Sequence, residues 1–186
     1  MARPNTNALR RFLRGRRGVS VIEFGFLAPV LITMLLGVAE TGRFIYLNLK
    51  VNNVVSNVAD IVARSEVASE TDMTSLFSAI PVMFSPFDSS DRFTVIVTGV
   101  VRHDADEPPV VAWQVAGGPG SEPSTVGVED GEANTPDDLT FVGGDALIVA
   151  EIVYTYDTWL LGFVPTQTIR DHAFARPRRS TLTTLE

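Results

Sequence analysis

Hydrophobic and polar positions divide the chain into regions of different period. From Val21 to Ala39 (VIEFGFLAPVLITMLLGVA) a run of 19 residues carries one charge, Glu23, and between Phe24 and Ala39 the only polar side chain is Thr33. A helix of that length rises roughly 28 Å, close to the ~30 Å hydrocarbon thickness of a bilayer. It also lacks the polar face that a core helix keeps. The pattern predicts a membrane-spanning helix over residues 19–40. Beyond Glu40 the chain turns amphipathic, with Leu47, Val51, Val54, Val58 and Ile61 spaced 4, 3, 4 and 3 among Asn, Lys, Asp and Arg. That seam predicts a continuation of the helix to about Ala68. It must pack on the chain's own globular part or on a neighbouring subunit, and the spacing alone does not choose.

Next, Ser69 or Thr71 can cap a short helix to about Ile80, with Glu70 and Asp72 at its positive N-terminus and Pro81 as its stop. Strand patterns follow. Arg92 to Arg102 (RFTVIVTGVVR) is β-branched and partly alternating, Val110 to Val115 (VVAWQV) is shorter, Ala146 to Tyr156 (ALIVAEIVYTY) is the strongest, and Thr166 to Ala175 (TQTIRDHAFA) returns as a fourth. Between the second and third lies Gly117 to Asp138, rich in Gly, Pro and acid and without apolar period, which predicts an exposed loop. The expected fold class is α+β: a long N-terminal transmembrane and amphipathic helix, then a small antiparallel β-sheet domain with one short helix. The expected organisation is a basic leader at 1–18, the membrane helix at 19–40, its amphipathic extension at 41–68, the α+β domain at 69–176 and a loose tail at 177–186.

Charge orients this arrangement. The net charge of -7 conceals an asymmetry: residues 1–18 hold six arginines and no acid, which leaves nine Lys and Arg against 22 Asp and Glu, a net of -13, in the remainder. A basic flank beside an apolar span marks the cytoplasmic side. The acidic remainder argues against a nucleic-acid partner, which would require positive surface to displace counterions. With no cysteine, a disulfide framework, thiolate metal sites and thiol catalysis are excluded.

The stretch that carries chemistry is Arg16-Arg17-Gly18-Val19-Ser20-Val21-Ile22-Glu23-Phe24. A carboxylate inside an apolar helix is costly, about 2.5–3.5 kcal/mol at the bilayer centre and less near the interface, so Glu23 calls for a reason. The arrangement resembles a type IV prepilin leader. That resemblance implies a prepilin peptidase cutting between Gly18 and Val19, with Glu23 as the fifth residue of the mature chain and Phe24 the sixth. The chain also resembles the TadE-like proteins of the tight-adherence (Flp) pilus system over about residues 15–65. The matching positions are Ile22-Glu23-Phe24, Pro29, Gly37, Glu40-Thr41-Gly42-Arg43 and Tyr46, with Ile22 where valine is commoner.

The resemblance implies a pilin-like minor subunit or assembly factor, acting by helix-helix association, with no catalytic residues, cofactor or metal. Its partners would be the prepilin peptidase, other pilins or TadE-like subunits, inner-membrane pilus assembly proteins and membrane lipid. It would sit in the inner membrane with a cytoplasmic N-terminus and a periplasmic domain, or pass into an extracellular pilus. Removal of the leader would create an α-amino cation at Val19, and Glu23 of an adjacent helix could pair with it and fix axial register. Glu40 and Arg43, three apart on one helical face, can pair at the membrane exit beside Tyr46 as an aromatic anchor. Pro29 and Gly25 can kink the span.

Other chemistry finds little support. His103 and His172 are isolated from each other and from carboxylates at ligand spacing. Glu129 to Asp138 lacks the alternating oxygens and closing Glu of a calcium loop. Gly117-Gly118-Pro119-Gly120 does not open a helix, and no nucleophile elbow or phosphate loop is present. Arg10-Arg11-Phe12-Leu13 lacks the residue a twin-arginine signal places before its Phe-Leu. Gly37-Val38-Ala39 is a poor signal-peptidase site after a span too long for a secretory signal. The competing reading is a signal-anchored envelope binding module unrelated to pilus assembly.

Overall fold

A computed structural model describes residues 17–65, 69–104, 106–136, 139 and 142–178. The leader before residue 17, the expected helical residues 66–68 and most of the tail lie outside the described residues. One helix, α1 (Arg17–Arg64), runs through both the apolar stretch and the amphipathic extension. It is followed by α2 (Glu70–Phe84) and four strands, β1 (Phe93–Val101), β2 (Val110–Gly117), β3 (Ala146–Tyr156) and β4 (Gln167–Ala175). The strands form one sheet in the order β2-β1-β3-β4, with every neighbour antiparallel. The α+β expectation holds.

The seam of α1 is occupied by the protein's own sheet. Leu47, Val51, Val54, Val55, Val58, Ala59, Val62 and Ala63 are buried in a core shared with Phe93, Val95 and Val97 of β1, Ile148, Ala150 and Ile152 of β3, and Ile169 of β4. Each fully buried Val or Leu contributes about 1.5–3 kcal/mol of transfer free energy at the upper bound. Ile61 is a correction to the expected seam, being 46% exposed. A strict 4-3 spacing has a period of 3.5, and a straight helix of period 3.6 drifts away from it by ~20° per heptad. By the last turn the buried face has moved on to Val62 and Ala63. Asn52 adds a polar tie to the edge strand, its amide donating to Asp171 at 3.0 Å.

Helix α2 runs past Pro81 to Phe84, a second correction. Pro81 lies on an exposed face of the last turn. The Phe84 ring is buried 5.7 Å from Phe93 and 5.1 Å from Tyr154, so core contact holds the final turn despite the missing donor. Ser69 occupies the N-cap without a side-chain capping hydrogen bond.

On the other sheet face the acidic loop is exposed over most of its described length, as expected, but two of its side chains turn inward. Val126 and Ala133 pack with Val100, Val111, Leu147 and Val149 in a second buried cluster. This double cover explains why β1 is buried at every position although its sequence alternates only in part. Two glycines make room for close contacts around β1. A Cβ at Gly99 would collide with the Trp113 indole, and one at Gly118, whose φ is 96°, would meet the Phe93 carbonyl at 2.7 Å.

Candidate functional site

Below the sheet domain α1 is bare. The helix contains a candidate membrane span with a mean hydropathy of 2.2, none of which is buried within the protein. Val19, Val21, Ile22, Phe24, Phe26 and Leu27 all face outward. Gly18 and Val19 lie at the start of this helix, and Glu23 is exposed one turn on, with no hydrogen-bond or ion-pair partner among the described residues. The helix continues through Pro29, and the Thr33 hydroxyl donates to the Pro29 carbonyl at 2.8 Å. A helix needs no outside partner for its backbone, whereas side chains this apolar need a non-aqueous surrounding.

At the upper end of the bare segment the sequence-predicted trio meets a loop from far along the chain. The Glu40 side chain is fully buried. Its carboxylate accepts hydrogen bonds from the backbone N–H groups of Trp159 at 3.2 Å, Leu161 at 3.4 Å and Phe163 at 3.2 Å. The expected Glu40–Arg43 pair is not formed. The Arg43 guanidinium instead lies over the rings of Trp159, 4.9 Å from the centroid, and Phe87, at 5.3 Å. Tyr46 also meets Phe87, at 5.4 Å between rings. The three residues are therefore close together without serving each other: Glu40 and Arg43 hold the β3–β4 loop to α1, and Arg43 and Tyr46 meet Phe87 in the connection between α2 and β1. A small cleft here, about 130 Å³, is lined in part by Arg43, Asp88, Tyr154 and Trp159. It is too small for an ordinary ligand pocket of about 300–1,000 Å³.

A second buried carboxylate went unnoticed in the sequence. Glu151 is fully buried in the middle of β3. It accepts from the Ser124 hydroxyl, from the Thr125 hydroxyl and backbone N–H, the latter at 2.9 Å, and from Arg170 at 3.4 Å. These bonds hold the acidic loop to the sheet. The available signal was a lone acid in an otherwise apolar strand, which must find partners once buried. Another missed signal was Trp159-Leu160-Leu161-Gly162-Phe163, an apolar run in what should be a polar turn.

His103 is exposed just after β1, and His172 stacks edge-on against Phe174 at 5.1 Å. Among the described residues no cluster of three or more His, Asp or Glu could hold a metal ion.

A bare apolar helix of membrane length, continuous with a helix that packs on a four-stranded antiparallel sheet, makes this an α+β protein with one candidate membrane anchor among the described residues. Residues 18–60 match the family model described as TadE-like protein, which bears out the resemblance read from Glu23, Phe24, Glu40, Arg43 and Tyr46. No curated protein and no solved structure matches the chain.

Proposed function

We propose that this protein is a pilin-like minor subunit or assembly factor of a tight-adherence pilus, matured by a prepilin peptidase between Gly18 and Val19. The observation that carries the reading is the bare helix from Val19 to Val38 with Glu23 near its start, inside the segment that matches the TadE-like family. The seam from Leu47 to Val62 is already buried against the sheet. Contacts with other subunits therefore fall to the membrane segment, where Glu23 would meet the α-amino group of a neighbouring Val19. An uncompensated charge in an apolar phase is costly, so this pairing would favour one axial register. The basic leader orients the N-terminus to the cytoplasm and the sheet domain to the periplasm.

Intact mass and N-terminal sequencing of the protein from membranes, with and without the cognate peptidase, test the reading. A start at Val19 that requires the peptidase is the expected result. A start at Met1 or Ala2 in both strains would instead describe a signal-anchored binding module, and a start near Glu40 a secreted domain.

A further inference from the structure

The β3–β4 loop places four large apolar side chains, Trp159, Leu160, Leu161 and Phe163, on the surface, with Leu161 at 59% exposed. A connection this apolar is not explained by the sheet core, since Leu160 and Leu161 take no part in it. Its position along α1 is informative. The Phe163 ring lies against Gly37, at 3.5 Å from where a Cβ would stand, within the span rather than above it. Phe163 and the α1 residues Thr33, Met34, Gly37, Val38 and Ile45 line one open apolar groove. The apolar surface of the loop is thus continuous with that of the bare helix.

Irregular backbone is excluded from lipid unless its polar groups are satisfied. Here they are. The N–H groups of Trp159, Leu161 and Phe163 all donate to the Glu40 carboxylate, which is itself shielded from water. Arg43 and Trp159, stacked just above, are the residue types that settle at the membrane–water interface.

We propose that the Trp159–Phe163 loop is a second membrane-inserting element, which dips into the bilayer edge beside α1 and seats the sheet domain on the lipid surface. The ligand is the acyl region of the lipid, and Glu40 is the positioning residue that makes the loop backbone compatible with it. This rests on the reading that α1 spans a membrane, and the test separates the two.

The chain has no native cysteine, so single nitroxide labels can be placed at L161C, at V30C in the span and at V128C on the acidic loop. All three positions are exposed. With the full chain in phosphatidylethanolamine–phosphatidylglycerol vesicles, collision with oxygen relative to a water-soluble nickel chelate reports depth. A ratio at Leu161 several-fold above that at Val128, and on the same side as Val30, is the expected result, with L160C as a second reporter on the same loop. A ratio at Leu161 equal to that at Val128 while Val30 is in lipid overturns the loop insertion and leaves the span intact. A Val30 label in water overturns both. A Leu161 label shielded from both reagents and broadened by a neighbouring label would assign the loop to a second copy and overturn the proposal.

Discussion

The Glu40 carboxylate accepts a hydrogen bond from the backbone N–H of Phe163, 3.2 Å away across 123 positions of sequence. That contact joins the membrane end of α1 to the connection between the two strands on which α1 rests.

Glu40→Ala removes the acceptor for three N–H groups at once. Amide exchange at Trp159, Leu161 and Phe163 should accelerate by at least about tenfold, since a hydrogen bond to a charged group is worth roughly 1.5 kcal/mol or more. E40Q, which keeps one carbonyl oxygen, should fall between the two. Unchanged protection in E40A would mean that the loop is held by ring contacts alone.

Glu23 faces no partner among the described residues, so its removal should spare the fold. E23A and E23Q are expected to accumulate in membranes at the wild-type level while failing to assemble or to cross-link with neighbouring subunits. Normal assembly of either variant would remove the register role from this carboxylate.

Gly99→Ala should destabilise the sheet domain by about 1–3 kcal/mol, because a methyl group there overlaps the Trp113 indole. The diagnostic is a double-mutant cycle by denaturant unfolding in detergent: G99A should cost less in a W113F background. Equal costs in both backgrounds would place the strain elsewhere.

Glu151→Ala leaves Ser124, Thr125 and Arg170 without their shared acceptor, and a loss of about 3 kcal/mol is expected. The same variant should be cut in the Gly117–Asn134 loop by protease before the sheet unfolds, and E151Q should be cut more slowly than E151A. Loop cleavage no faster than wild type would show that Val126 and Ala133 anchor the loop unaided.

Tyr154 supplies a pH dependence. Its hydroxyl donates to the Asp88 carbonyl. Burial pushes the phenol above its ordinary pKa of about 10, against the opposing pull of Arg92. A group raised on folding contributes stability that is complete below the unfolded pKa and is lost as pH rises through the folded one. Alkaline titration of unfolding should therefore show a falling stability above about pH 10 that is smaller in Y154F.

The regular elements were legible in the sequence because each rests on a local pattern. An apolar run of membrane length broken only by Glu23 points to a span, and β-branched runs identified all four strands, β3 at its observed ends. The family segment was legible because Glu23, Glu40, Arg43 and Tyr46 sit at fixed offsets along one helix. Local signals also misled at Pro81 and Ile61, where core contact at Phe84 and the drift of a straight helix decided the outcome.

What the chain determined by itself was therefore its periodic elements, its charge asymmetry and the presence of carboxylates in apolar surroundings. What only the tertiary structure decided was which groups those carboxylates meet. Glu40 and Arg43 look like a helical ion pair at three-residue spacing, yet the backbone N–H groups of a distant loop capture the acid and two aromatic rings capture the base. The reason is physical: a buried charge takes the donors that folding brings to it, and a helix repeat carries no information about chain that arrives more than a hundred residues later. The acidic loop follows the same logic, polar by composition and yet laid on the sheet because Glu151 and the Val126 cluster wait there for it.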